Sequence, residues 1–316
     1  MSIAQVIYMI KKPIILQMDN MESQIIHKPV MIKEVLSFIS KNSNIVVDAT
    51  LGEGGHTKAM LDLNLEVHSF ERDKNILEIA KKRLSNYKKF YYYNNTYDKM
   101  IDSLPKNIIG NVDFILYDLG VSMFHFKKAE RGFSFNENNK LDMRLGINKI
   151  NAYEVINKYE KKDLERIFKE YGEIKNYSKL AEIIIKERNK KNIGTAKELE
   201  NIIFHNSDKS KKYGKINPAT LIFQAIRIEV NDELNILKKS IENIKNILKK
   251  YGVVVIISYH SLEDRIVKRF FKDNEKTKNK DGIFKLLNSK VLKPTNEEIK
   301  LNIASRSAKL RAAQLL

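Results

Sequence analysis

The sequence contains no cysteine, which excludes disulfides, thiolate catalysis and cysteine-ligated zinc and suits a cytoplasmic protein. It also lacks any apolar run near the roughly 20 residues that a membrane span needs. The patch from Val6 to Ile10 is cut by Lys11, Lys12 and Pro13, so it has no secretory-signal order of charge, apolar core and cleavage site. Residues 1–26 are expected to be an N-terminal extension, with Met18 and Met21 as alternative starts. No internal repeat is visible. Negative charge is short too: 39 Asp and Glu face 57 Lys and Arg, for a net +18. Such an excess concentrates polyanions, so nucleic acid or an acidic membrane surface is the partner class it favours. The competing account is a Lys- and Asn-rich composition that decorates solvated faces. From Arg265 to Leu316, 14 Lys and Arg stand against 5 Asp and Glu. This clustering in the last sixth of the chain favours a phosphate-tracking surface over uniform decoration.

What is present is a chain of 316 residues, 43% hydrophobic, long enough for a sizeable core and two domains. Short β-rich runs, Ile45 to Asp48, Glu66 to Phe70, Phe90 to Tyr93 and Val112 to Tyr117, alternate with helical patterns from Gly55, Asp73 and Tyr97. That is the rhythm of a parallel sheet covered by helices. From about Lys127 to Asn217 strand signals vanish. Helical spacing appears over Asp163 to Tyr171, Tyr177 to Asn189 and Thr195 to Phe204, where Thr195 and Glu198 form a candidate capping box. One long helix is expected over Ala219 to Lys250, then a buried strand over Val253 to Ser258, a charged loop over Asp273 to Lys280, and a closing edge strand over Leu310 to Leu316. The economical reading is an α/β domain, 27–126 and 218–316, interrupted by an all-helical domain over 127–217.

The stretch Asp48-Ala49-Thr50-Leu51-Gly52-Glu53-Gly54-Gly55-His56-Thr57 joins a strand to a helix through a glycine turn. Such a turn lets backbone approach a ligand, and the helix start offers free N–H groups. Ligands of doubly wound sheets sit beyond the carboxyl ends of the strands. Three acids fall there: Asp48 closes the first strand, Glu71 the second and Asp118 the fourth. Glu71 lies at the spacing from the turn where an acid accepts ribose hydroxyls. The glycines depart from the dinucleotide spacing Gly-x-Gly-x-x-Gly, and no Walker lysine follows. Asp48 would repel a pyrophosphate but could hold an ammonium or order water around one. S-adenosylmethionine, an adenosine with an amino acid tail and no phosphate, fits better.

Five motifs in order carry a resemblance to a known family. They are the glycine turn; Asp118-Leu119-Gly120-Val121-Ser122; Glu130-Arg131-Gly132-Phe133-Ser134-Phe135 with Leu141-Asp142-Met143-Arg144; Phe223 to Leu234; and Ser258-Tyr259-His260-Ser261-Leu262-Glu263-Asp264-Arg265-Ile266-Val267-Lys268. From His27 to about Ala313 the chain resembles the bacterial 16S ribosomal RNA cytosine N4-methyltransferase family, also called MraW. The resemblance implies a class I Rossmann-like methyltransferase domain with an inserted helical domain that recognises substrate. It implies methyl transfer to N4 of a cytosine in the decoding region of the small ribosomal subunit. Implied cofactor contacts are Gly54, Gly55, His56, Glu71, Tyr97, Asp118 and His125. Glu71 stands where the family commonly has Asp, His125 where it has Gln, and Ile303-Ala304 where it has Pro-Arg.

A cytosine amino nitrogen is a poor nucleophile, so orientation, worth roughly 7–11 kcal/mol at best, is the main contribution expected of the protein. The sulfonium is already a good leaving group, and no metal is expected. Proton acceptors by position are Asp118, or Ser122 with a carbonyl near Gly120, with bulk water finishing the transfer. Tyr259 or His260 is expected to hold a base taken out of its stack, although His260 equally suits a helix cap. Tyr91, Tyr92 and Tyr93 read as strand residues and not as a stacking platform. Arg131 and Arg144 are candidate phosphate contacts, or else pair with Asp142 or Glu130. Arg265, Lys268, Arg306, Lys309 and Arg311 complete the expected RNA surface. Competing functions are a non-catalytic RNA-binding protein with a relic cofactor pocket, and a nicotinamide dehydrogenase. The oligomeric state, monomer or homodimer, is left open.

Overall fold

The computed structural model describes residues 28–122, 124–125, 130–134, 138–146, 148–206 and 219–316. The expected N-terminal extension and the expected boundary at 217 and 218 lie outside them. Four β-branched or aromatic runs form β1 (Ile45–Asp48), β2 (Glu66–Phe70), β3 (Phe90–Tyr93) and β4 (Val112–Asp118), joined late in the chain by β5 (Leu248–Ser258), β6 (Phe284–Leu286) and β7 (Lys309–Leu315). They make one sheet in the order β3-β2-β1-β4-β5-β7-β6. β1 to β5 run parallel, and β7 is antiparallel to both its neighbours. The chain moves outward from β1 to β3, then returns to place β4 on the other side of β1. Strand order therefore reverses between β1 and β4, where such sheets open a crevice at their carboxyl ends.

Alternate residues of the central strands feed two cores, as a pleated strand requires. Val47, Ile115, Tyr117, Val254 and Ile256 pack against one helical layer. Val46, Phe114, Leu116, Val255 and Ile257 pack against the other. The first layer includes α4 (Met100–Ser103) and the second α1 (Ile32–Ser37), α2 (Gly55–Asp62) and α3 (Lys74–Arg83). Asp113 fixes the lower edge, accepting the Asn44 and Ile45 N–H groups at 2.8 and 3.0 Å.

Between β4 and β5 lie α5 (Ala152–Lys158), α6 (Lys161–Glu170), α7 (Tyr177–Lys190) and α8 (Ala196–His205), and no named strand occurs there among the described residues. Both α5 and α8 start with full capping boxes, Asn151 with Glu154 and Thr195 with Glu198. Apolar residues at helical spacing, Leu164, Ile167 and Phe168 on α6 and Leu180 and Ile184 on α7, bury into a core of their own. α9 (Thr220–Asn231) joins that core through Ile222, Ala225 and Ile226.

The single helix expected over 219–250 is divided. Asp232 takes left-handed dihedrals, φ 51° and ψ 35°, and separates α9 from α10 (Glu233–Glu242), after which come a single turn α11 (Ile244–Ile247) and β5. The break lets the buried Asn231 turn to the loop before α5. Its amide donates to the Met143 carbonyl at 2.8 Å and accepts the Leu145 N–H at 2.8 Å. The closing strand is also not at the edge. β7 sits between β5 and the three-residue β6, too short for a period to register. α12 (Ser261–Asn274) extends into the segment expected as loop from Asp273. α13 (Asn296–Leu301) and a 3-10 turn over Ile303–Ser307 precede β7.

Asn231→Ala should strand two buried backbone groups and lower unfolding stability by about 2–3 kcal/mol. Urea unfolding checks this, and a loss below about 0.5 kcal/mol would contradict the bridging role.

Candidate active site

The glycine turn is braced from beneath. Asp48 is buried; one carboxylate oxygen accepts the Thr50 N–H at 3.1 Å and the other the Thr57 hydroxyl at 2.7 Å. Burial raises its pKa, against lowering by His56 and Thr57. Asp48 thus organises the turn and does not face a ligand, contrary to the expected ammonium contact. Gly52 and Gly54 have φ of 51° and 81°, the left-handed region. A Cβ on Gly54 would lie 2.9 Å from Leu84, so Gly54 shapes the turn from behind while Gly52, Gly55 and His56 line the cleft.

Glu71, beyond the end of β2, also grips backbone. Its two oxygens accept the Gly52 N–H at 3.0 Å and the Asp73 N–H at 2.8 Å. Burial pushes its carboxyl up to about 7, with the two N–H groups pulling the other way. Tyr97, edge-on to Tyr117 at 5.5 Å, forms the neighbouring wall.

The cleft floor is the end of β4. The Asp118 N–H donates to the Thr50 hydroxyl at 2.7 Å, and one Asp118 oxygen accepts the Tyr259 hydroxyl at 2.6 Å. The other lies 3.3 Å from His56 Nε2, without alignment for a hydrogen bond, and neither ring nitrogen of His56 has a hydrogen-bond partner. Burial lowers the His56 pKa, but Asp118 and Asp48 outweigh it and the net direction is upward. Gly120, at φ 105°, leaves room for the Tyr259 ring, which a Cβ would approach to 3.2 Å.

Ser122 and His125 line the same cleft. The Ser122 hydroxyl donates to Glu53 at 3.2 Å and accepts the Phe124 N–H at 3.2 Å. His125 Nε2 lies 3.1 Å from one oxygen of the buried Asp73, and Arg131 meets the same oxygen at 2.5 Å. The hydrogen bonds from His125 and Arg131, with the Arg131 charge, hold the Asp73 carboxyl below the usual range despite its burial. Arg131 is thereby drawn inward to a partner 58 positions away, neither Asp142 nor Glu130. Arg144 does pair with Asp142, at 2.6 and 2.9 Å.

The far wall carries groups that sequence reasoning left without a role: Gln224, Arg227, Glu233 and Glu263. Polar residues spaced i, i+3 within the apolar run of α9, Gln224 and Arg227, were the available signal. Arg227 grips Glu233 with two bonds of 2.9 and 2.8 Å. His260 both faces the cleft and caps α12, its Nδ1 accepting the Glu263 N–H at 3.4 Å. Burial would raise the Glu263 pKa, but His260 and Arg227 outweigh it and the direction is downward.

Of the expected RNA contacts, Lys268 and Arg306 are exposed. Arg265, also exposed, meets Glu173 at 2.7 Å. Lys309 and Arg311 both reach Asp264, at 3.4 and 2.8 Å. Tyr91 and Tyr92 are exposed on the edge strand β3.

The whole cleft holds about 460 Å³. Five carboxyl groups line it, Glu53, Glu71, Asp118, Glu233 and Glu263, against two guanidiniums, Arg72 and Arg227. A cationic ligand suits this donor set and a pyrophosphate does not. The MraW methylase family matches residues 24–316. The chain belongs to the MraW methylase family. S-adenosylmethionine, a methyl-bearing cation without phosphate, is accordingly its cofactor, and the acid-rich wall fits it. A protein named ribosomal RNA small subunit methyltransferase H from Brachyspira hyodysenteriae is 74% identical over 296 residues, covering 94% of this chain and 99% of its own. Proteins of the same name from a Sulfurihydrogenibium species and Dictyoglomus turgidum are 42% and 41% identical. Those matches cover 91% and 93% of this methylase, and 98% of each relative. No described helix is long and apolar enough to cross a membrane.

Glu71 holds its proton more tightly folded, near pH 7, than in the unfolded chain, near 4.5. Its stabilising contribution is therefore complete below the lower value and lost as pH rises through the upper one. Denaturant unfolding of Glu71→Gln across that window should show a flatter pH slope than the unchanged protein. Equal slopes would contradict the shift.

Proposed function

We propose that this methylase transfers the methyl group of S-adenosylmethionine to the exocyclic N4 of one cytosine in the 16S RNA of the small ribosomal subunit. The relatives' shared name, at identities of 41% and above over nearly the full chain, supports the RNA substrate. The atom methylated rests on one observation, the Asp118 carboxylate at the cleft floor beside Gly120. A carboxylate only accepts hydrogen bonds and an amino group donates them, so the pair is complementary. Methylation at a pyrimidine ring carbon needs a thiolate to activate the ring, and the chain has no cysteine.

S-adenosylmethionine, when bound, supplies an electrophilic methyl on a sulfonium. The chain's part is to hold and orient. Glu71 would receive the ribose hydroxyls, Gly52, Gly55 and His56 the amino acid end, with Gly54 shaping the turn behind them, and Tyr97 the adenine face. Tyr259 orients the Asp118 carboxylate, which accepts an amino N–H and takes the proton released after attack. Ser122, tied to Glu53, closes the wall beside it. His125 acts on this wall through Asp73. The helical unit over 127–217 serves as a substrate-recognition domain. Arg265, Lys268 and Arg306 offer the exposed positive surface toward RNA phosphates.

Small subunits and 16S RNA lacking the modification, incubated with tritiated S-adenosylmethionine and digested to nucleosides, should carry label in N4-methylcytidine. Label in 5-methylcytidine or a ribose-methylated nucleoside would overturn the assigned atom. Cofactor binding with no transfer to either substrate would support the relic pocket instead.

A further inference from the structure

Two aliphatic side chains stand apart from every other large apolar residue among those described. Leu301 is 74% exposed and Ile303 68%. They end α13 and begin the following 3-10 turn, and that turn's Ala304 and Ser307 line the cleft described above. Ile303 thus directly precedes a cleft-lining residue in the chain, and Leu301 lies three positions before it. A scattered exposed leucine needs no explanation, but two such residues, separated by a single position on a segment that lines a polar site, do.

The segment that carries them is rigidly built. Thr295 caps α13, its hydroxyl accepting the Glu298 N–H at 3.1 Å. Glu298 in turn accepts the Met31 N–H at 2.6 Å, anchoring the helix to the chain before α1. Asn302, between the two aliphatics, points the other way. Its N–H donates to the Glu298 carbonyl at 2.7 Å and its amide to the Lys28 carbonyl at 3.0 Å. The buried Ser305 hydroxyl donates to the Asn302 carbonyl at 2.8 Å. With Asn302 fastened inward, its two neighbours are held outward. Lys300 and Arg306 flank them, both exposed.

We propose that Leu301 and Ile303 form a wedge that enters the RNA base stack beside the target nucleotide and holds the gap open while the base lies in the cleft. This rests on the reading of the substrate as RNA. An enzyme that works on a base takes it out of the stack, and apolar side chains inserted between base steps are a known means of unstacking. The flanking cations match the phosphates on either side of the opened step. A preformed wedge spends no binding energy on ordering itself. Leu301 and Ile303 are positioning residues, since neither reaches the reacting atoms.

The test uses the full chain with the paired changes Leu301→Ser and Ile303→Ser. Calorimetry with S-adenosylmethionine should give an unchanged affinity, which shows that the cleft is intact. Methyl transfer to a folded RNA carrying the target cytosine in a stack should lose at least tenfold in kcat. The fluorescence rise of 2-aminopurine placed next to the target should disappear. Transfer to a short single-stranded RNA, where little stacking must be broken, should return to within a fewfold of the unchanged protein. Equal loss on both RNAs, or no loss on the folded one, would overturn the wedge. If the unchanged protein binds cofactor but methylates neither RNA, the substrate reading fails instead.

Discussion

The hydrogen bond from the Tyr259 hydroxyl to Asp118, 2.6 Å long, ties the ends of β5 and β4 across the floor of the cleft. Everything functional in the structure is arranged around that carboxylate. Thr50, just past β1, receives the Asp118 N–H, and His56, in the first turn of α2, stands 3.3 Å from the second oxygen. Side chains from three places in the chain, Thr50, His56 and Tyr259, thus converge on one residue of β4 at the reversal of strand order. Burial keeps the Tyr259 hydroxyl protonated well past its ordinary range, reinforced by Asp118 itself. The donor therefore stays in place across all physiological pH.

Charge is sorted by location. The chain carries +18 in total, yet its cleft has five carboxyl groups and two guanidiniums. Opposite unit charges 4 Å apart at an effective dielectric of about 20 attract by about 4 kcal/mol. The same figure with opposite sign would oppose a pyrophosphate. The cleft therefore selects a cationic cofactor, whereas the exposed lysines and arginines outside it suit a polyanion. Two of the inner guanidiniums are paired, Arg131 with Asp73 and Arg227 with Glu233, while Arg72 donates to the neutral oxygens of Asn231 and Asn148.

The central sheet was legible because parallel strands are buried on both faces and read as continuous β-branched runs. Val253 to Ile257 is such a run, and so is Ile45 to Val47. Glycine spacing and the acids at strand ends marked the cleft for the same local reason. What was not legible depends on distance. Asp48 and Glu71 look like free strand-end acids, but each is occupied by nearby N–H or hydroxyl groups. Arg131 meets Asp73, the N-cap of α3, across 58 positions of chain, a separation that local pattern cannot register. Asp232 interrupts an uninterrupted helical pattern with a positive φ, a change that periodicity cannot register. β6 is three residues long and leaves no pattern.

The central claim is that the Asp118 carboxylate receives the amino proton during methyl transfer. Single-turnover transfer to 16S RNA by Asp118→Asn, at saturating cofactor and RNA, tests it most directly. Removing a general base of this kind typically costs about 10²–10⁴ in rate, and a loss in that range is predicted. An Asp118→Asn rate close to that of the unchanged protein would contradict the account.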